Sequence, residues 1–152
     1  MFGEVDGGEM QLSNAGEMVK KWWIELANKF PSVEIDEYCV MPSHFHGIIA
    51  LVGADPSVCP GGCRDQVTGV HIGTPLPAVV RWFKTMSTNE YIRGVRRRGW
   101  PPFEGRMWQR NYYEHVIRGD ADLDRVRKYI VDNPAKWAED PDNPHNFGEP
   151  GT

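Results

Sequence analysis

The hydrophobic and polar positions in the first third of the chain follow two periods, one helical and one of two residues. The segment SNAGEMVKKWWIELANKF, residues 13–30, has apolar positions at helical spacing, and Ser13 or Asn14 can cap it. The segment SVEIDEYCVM, residues 32–41, alternates with the period of a strand. HFHGIIALV, residues 44–52, predicts a second strand after a short connection.

The rest of the chain predicts a long loop followed by helix, strand and helix. A Gly-, Pro- and Asp-rich stretch at residues 53–75 is longer than most loops of compact domains. PLPAVVRWFKTMSTNEYIRGVR, residues 75–96, predicts a helix, and RMWQRNYYEHVIR, residues 106–118, predicts a strand rich in aromatic and β-branched residues. DADLDRVRKYIVDNPAKW, residues 120–137, predicts a last helix that Pro134 ends or kinks, because proline disfavours helical geometry in the residue before it.

This order of elements predicts an α+β fold, with helices packed on one face of an antiparallel sheet. A ferredoxin-like or RRM-like split βαβ arrangement requires one more strand before the first helix. The opening segment MFGEVDGGEMQL, residues 1–12, is barely long enough for a strand. We therefore expect a single domain over residues 1–140 in which the first strand is missing, followed by an acidic, proline-rich tail over residues 141–152.

Length and composition fit one ordinary globular domain. The chain has 152 residues, of which 40% are hydrophobic and 25% charged. Its apolar runs are too short for a transmembrane helix and no signal peptide opens it, which predicts a cytoplasmic protein without a membrane partner. Three cysteines, an odd number, fit a reducing compartment better than a disulfide framework.

Charge is distributed unevenly, although the net charge of −4 does not by itself indicate a nucleic-acid partner. A basic cluster with aromatic residues between its members can follow a phosphate backbone and stack on bases. The alternative is a solvated helix face, which is the more common reason for such a cluster. The candidate DNA-binding residues are Arg81, Lys84, Arg93, Arg96, Arg97, Arg98 and, further along the chain, Arg110.

The strand that begins at residue 44 carries two histidines one residue apart. Because alternate residues of a strand share a face, His44 and His46 point the same way, about 7 Å apart along the backbone, while Phe45 points into the core. Two imidazoles on one face can chelate a divalent ion. Two ligands alone make a weak site, and the pattern equally fits a strand with two unrelated histidines.

The last predicted helix adds a nucleophile and an oxygen ligand on one face. Tyr129 and Asn133 are four residues apart, so their side chains lie on the same side of the helix. A free tyrosine hydroxyl, with a pKa of about 10, attacks phosphorus only beside a group that neutralises the phosphodiester. With the amide oxygen of Asn133 as third ligand, mixed oxygen and imidazole ligation suits Mg²⁺ or Mn²⁺. The alternative is a tyrosine that merely packs at the edge of the core.

Other candidates rest on weaker patterns. Cys59 and Cys63, in the segment CPGGC, could hold zinc together with His71, but a second close pair of ligands is missing. Tyr112 and Tyr113 are rival nucleophiles, although on a strand they would face opposite ways.

Two segments of the chain resemble one family. VMPSHFHGIIAL resembles the HUH motif, two histidines around a hydrophobic residue, of single-strand DNA nucleases and transposases. MWQRNYYEHVIRGDADLDRVRKYIVDNPAKW resembles the C-terminal half of the REP-associated tyrosine transposases, in the HUH single-tyrosine transposase superfamily. The resemblance runs from about Phe2 to Trp137, and WQRNYYEHVIR and YIVDNP make it more specific than the histidine pair.

The resemblance implies a role for each residue singled out above. His44 and His46 match the metal-binding pair, Tyr129 the catalytic tyrosine and Asn133 the third ligand. Such enzymes cleave single-stranded DNA through a 5′-phosphotyrosine link, free a 3′-hydroxyl and later rejoin strands. Their substrates include imperfect hairpins, so the basic cluster would meet hairpin DNA. We further expect that a second copy of the chain can be a partner, in a homodimer.

The chain departs from this family in lacking a strand before Phe2. In the family that strand lies centrally beside the strand of the histidines, so another segment or another chain would have to fill the gap. Two alternative functions therefore stay open. One is a catalytically disabled nucleic-acid-binding module of the same fold. The other is a metal-dependent hydrolase in which water is the nucleophile.

Overall fold

The computed structural model describes residues 1–52, 75–143 and 146. The secondary structure comprises strands β1 (Gly3–Asp6) and β2 (Glu9–Leu12), helix α1 (Asn14–Lys29), strands β3 (Val33–Val40) and β4 (Phe45–Leu51), helices α2 (Leu76–Arg98) and α3 (Asp120–Asp132), and a 3-10 helix (Pro134–Glu139). The described strands form two small antiparallel sheets, β1–β2 and β3–β4. The α+β class is therefore confirmed, whereas the expected single sheet is not found among these residues.

The N-terminal segment forms a hairpin, which the sequence did not predict. Gly7 and Gly8 both have left-handed backbone geometry, with φ of 57° and 84°, as the tightest hairpin turns require. Before β1, the backbone of the fully buried Phe2 donates to the carbonyl of Pro42 (3.1 Å) and accepts from the amide of Ser13 (2.9 Å). The hairpin therefore adds no strand to β3–β4, but it anchors the connection that leads into β4.

The two faces of the β3–β4 sheet are covered by different helices. On one face the ring of Phe45 lies 4.6 Å from that of Trp23 in α1 and 5.5 Å from that of Phe83 in α2. On the other face the ring of His46 lies 5.5 Å from that of Tyr129 in α3. Since neighbouring residues of a strand project oppositely, α1 and α2 cover one face and α3 the other. The expectation that all helices lie on one face is wrong.

The predicted strand at residues 106–118 is irregular in the structure. Its first part packs on α2, where the indole of Trp108 donates to the hydroxyl of Ser87 (2.9 Å). Its second part is exposed, and Tyr113 retains 93% of its accessible surface. A strand needs a neighbour to pair with its backbone, and within the described ranges β3 and β4 pair only with each other. High β-propensity alone does not make residues 106–118 a strand.

The last helix ends where proline predicts, although not with the geometry expected. The α-helix stops at Asp132, and the chain continues from Pro134 as a 3-10 helix. Asn133 keeps helical angles, φ −58° and ψ −46°, although the proline that follows disfavours them. A hydrogen bond from the amide of Lys136 to the carbonyl of Asn133 (3.1 Å) uses the acceptor that the turn leaves free. Of the helices in the described part of the chain, none combines the length and the apolar character needed to cross a membrane.

Candidate metal centre and nucleophile

The two histidines predicted as metal ligands converge at the start of β4. Their Nε2 atoms lie 2.9 Å apart, and the ring planes meet at 83°. The turn before β4 is closed by a hydrogen bond from the amide of Met41 to the carbonyl of His44 (2.9 Å). The pair is therefore fixed by the strand on one side and by a closed turn on the other.

Burial keeps both imidazoles in the neutral form that binds metal ions. Burial and, to a smaller extent, the neighbouring His44 together lower the pKa of His46 to about 4, against the opposing effect of Asp140 and Asp142. Burial also lowers the pKa of His44, again against the same two carboxylates. Near neutral pH each ring therefore offers a nitrogen lone pair.

Tyr129 reaches the histidine pair of its own chain. Its ring centroid lies 5.5 Å from that of His46, and the rings meet edge to face. Tyr129 is 54% exposed, so a large part of the residue faces solvent. The bidentate pairing of Arg127 with Asp36 holds α3 against β3, with bonds of 2.8 and 2.6 Å. The structure therefore brings together the three residues that resemble the metal pair and the nucleophile.

Asn133 lies one helical turn beyond Tyr129, with only 4% of its surface exposed. Its amide nitrogen Nδ2 has no hydrogen-bond partner among the described residues. A buried amide without a partner is costly, and such groups are usually explained by a function or by an absent ligand. Because Nδ2 is a donor and does not bind cations, the role of Asn133 as an oxygen ligand stays a prediction.

Two carboxylates that the sequence did not single out lie beside His44. Asp140 Oδ2 is 3.7 Å from His44 Nε2, and Asp142 Oδ2 is 4.0 Å from His44 Nδ1. Together these three side chains form a cluster whose ligand atoms lie within 4.8 Å of one another. The sequence carries one signal for these two carboxylates, which is that the segment after Trp137 is acidic. The boundary predicted at residue 140 places Asp140 in the domain and Asp142 in the tail.

The comparisons with known proteins point the same way without assigning the family. No family model matches the chain, and no solved structure matches it significantly. A Haemophilus influenzae protein named "Uncharacterized protein" is 34% identical over 143 residues, which cover 92% of this chain and 76% of that protein. Another H. influenzae protein is 30% identical over 98 residues, or 64% of this chain, and is named "Putative REP-associated tyrosine transposase".

The similarity to a transposase by name is thus partial. The aligned part of this chain spans 47% of the length of the relative with that name, about half of it. The similarity agrees with the resemblance carried by the histidine motif and the tyrosine helix. It supports a DNA-processing function as a hypothesis and leaves the reaction to be proposed from the site.

The predicted DNA-binding residues differ in their surroundings. Lys84 donates to the carbonyls of Gln109 (2.8 Å) and Asn111 (3.4 Å), so it anchors the irregular segment, and burial lowers its pKa. The guanidinium of Arg98 lies 5.5 Å from the ring of Trp100. The remaining members are exposed arginines: Arg81, Arg93, Arg96, Arg97 and Arg110. All except Arg110 lie on α2, across the sheet from Tyr129.

The weaker candidates receive no support from the described structure. Cys59, Cys63 and His71, the proposed zinc ligands, lie outside the described residues. Tyr112 lies beneath the ammonium group of Lys84, 5.5 Å from the ring centroid, and Tyr113 is exposed. No contact of either tyrosine with the histidine pair is found among the ring contacts described.

Proposed function

We propose that the protein is a metal-dependent single-strand DNA endonuclease and strand transferase with Tyr129 as its nucleophile. One observation carries the proposal: an accessible tyrosine lies beside two converging neutral histidines, all within one chain. A structural tyrosine at a core edge would not require imidazole nitrogens to converge beside it. The partial similarity to a protein named as a transposase supports the same interpretation.

The proposed reaction is a reversible transesterification. The Tyr129 oxygen attacks the scissile phosphorus, the tyrosine gives up its proton, and the bond from phosphorus to the 3′-oxygen breaks. The departing 3′-oxygen takes a proton, which leaves a 5′-phosphotyrosine and a free 3′-hydroxyl. Attack by a 3′-hydroxyl on the phosphotyrosine reverses the step and joins two strands. No phosphoanhydride is consumed, because the covalent link preserves the phosphodiester bond energy.

His44, His46 and Asn133 are the residues that would hold the divalent ion, Mg²⁺ or Mn²⁺. When bound, the ion would neutralise charge on the phosphate and make it accept an anionic nucleophile. The protein's own contribution is position: β4 and the turn before it hold the imidazoles, and α3 carries the Tyr129 ring next to that of His46. Asn133 is included because it lies one helical turn beyond Tyr129, at the position of the third ligand in the family that the chain resembles.

Single-stranded or hairpin DNA is the proposed substrate. The exposed arginines of α2 offer contacts with phosphates, which are independent of sequence. Because α2 covers the sheet face opposite to Tyr129, we propose that these arginines bind the flanking duplex or loop instead of the scissile phosphate. A homodimer is a further proposal. The site does not require one, because α3 reaches His46 of its own chain.

The test is a cleavage assay with labelled hairpin oligonucleotides and Mn²⁺, read as a protein–DNA adduct on a denaturing gel. Wild-type protein should form the adduct, and Tyr129→Phe should abolish it. Tyr113→Phe is the matched control. Tyr113 is the rival nucleophile, it is 93% exposed, and its replacement should leave adduct formation unchanged. An adduct that persists in Tyr129→Phe would refute the nucleophile.

The same assay separates the alternatives. Cleavage that survives Tyr129→Phe without an adduct indicates a hydrolase in which water attacks. Hairpin binding without cleavage in the wild type indicates a catalytically disabled binding module. The two small described sheets, in place of one continuous sheet, are the observation that keeps the second alternative in the test.

A further inference from the structure

The hydroxyl of Ser43 lies between the carbonyl of Asp142 and Nδ1 of His44. Ser43 Oγ donates to the carbonyl of Asp142 (3.1 Å) and lies 3.2 Å from His44 Nδ1. A serine hydroxyl has one proton, so when it donates to the carbonyl it must accept from Nδ1–H. In the neutral ring, Nε2 then carries the lone pair and faces the site. Metal-binding histidines are commonly oriented by such a bond on the other nitrogen.

The spacing of the two Nε2 atoms suits a shared ion. Two neighbouring ligands each about 2.1 Å from an octahedral ion lie about 3 Å apart. His44 Nε2 and His46 Nε2 are separated by 2.9 Å. Both could therefore coordinate one ion with little movement of β4.

Asp140 presents a carboxylate oxygen to the same nitrogen. Its Oδ1 accepts from the amide of Asp142 (2.7 Å), which fixes the carboxylate, and its Oδ2 lies 3.7 Å from His44 Nε2. The side chain is only 10% exposed. With the ring proton on Nδ1, the lone pair of His44 Nε2 faces both His46 Nε2, 2.9 Å away, and the mostly enclosed carboxylate oxygen of Asp140. All three atoms are of the kinds that bind metal ions, so one cation between them would satisfy them together.

We infer that Asp140 is a carboxylate ligand of the divalent ion held by His44 and His46, and that Ser43 is a positioning residue for His44. The inference rests on the proposed function, which requires the ion. It identifies two residues that determine how the ion is bound. A carboxylate beside two imidazoles favours Mn²⁺ and other borderline divalent ions, because it adds a charged oxygen to nitrogen ligands.

The experiment measures Mn²⁺ binding to the full chain without DNA, by the loss of the free-ion signal in electron paramagnetic resonance. Asp140→Asn should weaken Mn²⁺ binding by about tenfold or more, the scale seen when groups around a metal are removed. Asparagine keeps the Oδ1 acceptor, so the turn to Asp142 is retained. Ser43→Ala, at an exposed residue, should also weaken binding, and circular dichroism confirms that each variant is folded.

Glu139→Gln is the matched control. Glu139 precedes Asp140, is exposed and lies outside the cluster of His44, Asp140 and Asp142, so binding should stay within about twofold of wild type. Unchanged binding in both Asp140→Asn and Ser43→Ala would overturn the inference and leave the histidine site intact. Unchanged Mn²⁺ binding in His44→Ala would instead show that His44 does not bind the ion, which would contradict the metal site of the proposed function.

Discussion

Arg127 of α3 and Asp36 of β3 form a bidentate ion pair across 91 positions of the sequence, with bonds of 2.8 and 2.6 Å. Arg127 precedes Tyr129 by two residues on the same helix. The ion pair therefore holds α3, which carries the candidate nucleophile, against β3, which is paired with the strand of His46.

Replacing Arg127 should loosen α3 and reduce adduct formation. Arg127→Gln removes both charge-assisted bonds, and we expect a melting temperature lower by a few degrees and a reduced cleavage rate. Arg125→Gln is the control, because Arg125 pairs within α3 with Asp122 and is mostly exposed. Equal losses in the two variants would contradict the positioning role of the Asp36 pair.

The same pair predicts how stability depends on pH. The hydrogen bonds from Arg127 hold the pKa of Asp36 below its ordinary value of 3.8. The stabilisation is therefore fully present above pH 3.8 and is lost as the pH falls through the lower folded value. Thermal melts should show a constant difference between wild type and Arg127→Gln near neutrality, which shrinks below pH 3.8. A difference that grows on acidification would show that another group is responsible.

Gly47 permits the close packing of β4 on α1. A Cβ at this residue would lie 2.3 Å from an atom of the Trp23 ring, so one of the two must move. We expect Gly47→Ala to destabilise the protein by about 1–3 kcal/mol, as overpacking of a core does, measured by chemical unfolding. Ala50→Ser, at an exposed residue of the same strand, should leave stability nearly unchanged.

Ser87 joins α2 to the irregular segment. Its buried hydroxyl donates to the carbonyl of Phe83 (2.7 Å) and accepts from the indole of Trp108 (2.9 Å). Ser87→Ala leaves that indole donor without its partner and should cost about 1–3 kcal/mol of unfolding free energy. A shift in tryptophan fluorescence should accompany the loss, and an unchanged unfolding midpoint would contradict the role of this bond.

The exposed part of the irregular segment should be open to exchange with solvent. Residues 112–117 have no strand neighbour within the described ranges, so their amides should exchange much faster than those of β3. Hydrogen exchange followed by mass spectrometry measures both regions in one experiment. Slow exchange at residues 112–117 would show that another part of the chain or another molecule pairs with this segment.

Local patterns in the sequence predicted the helices, the paired strands and the histidine face. The periods of 3.6 and two residues follow from the backbone geometry of helix and strand and are visible within a short segment, so α1, α2, β3 and β4 could be predicted directly. The placement of Tyr129 beside His46 followed from the family resemblance and from helical spacing. Whether these residues perform catalysis stays a prediction.

Features that depend on distant partners could not be predicted in this way. Residues 106–118 have strand composition, but pairing requires a neighbour that local propensity does not supply. The hairpin of residues 3–12 was missed because each of its strands is only four residues long. Asp140 was missed because only the turn after Pro134 returns the chain to His44, and no spacing rule predicts that return.

The turn after Pro134 has a consequence for how the site is assembled. Tyr129, Asn133 and Asp140 lie in one uninterrupted stretch of chain, whereas His44 and His46 belong to a hairpin nearly a hundred residues earlier. The candidate centre is therefore drawn from two separate segments of the chain, with two groups from the first and three from the second. Displacing α3 from β3 would withdraw Tyr129, together with Asn133 at its end, from the histidines in a single movement.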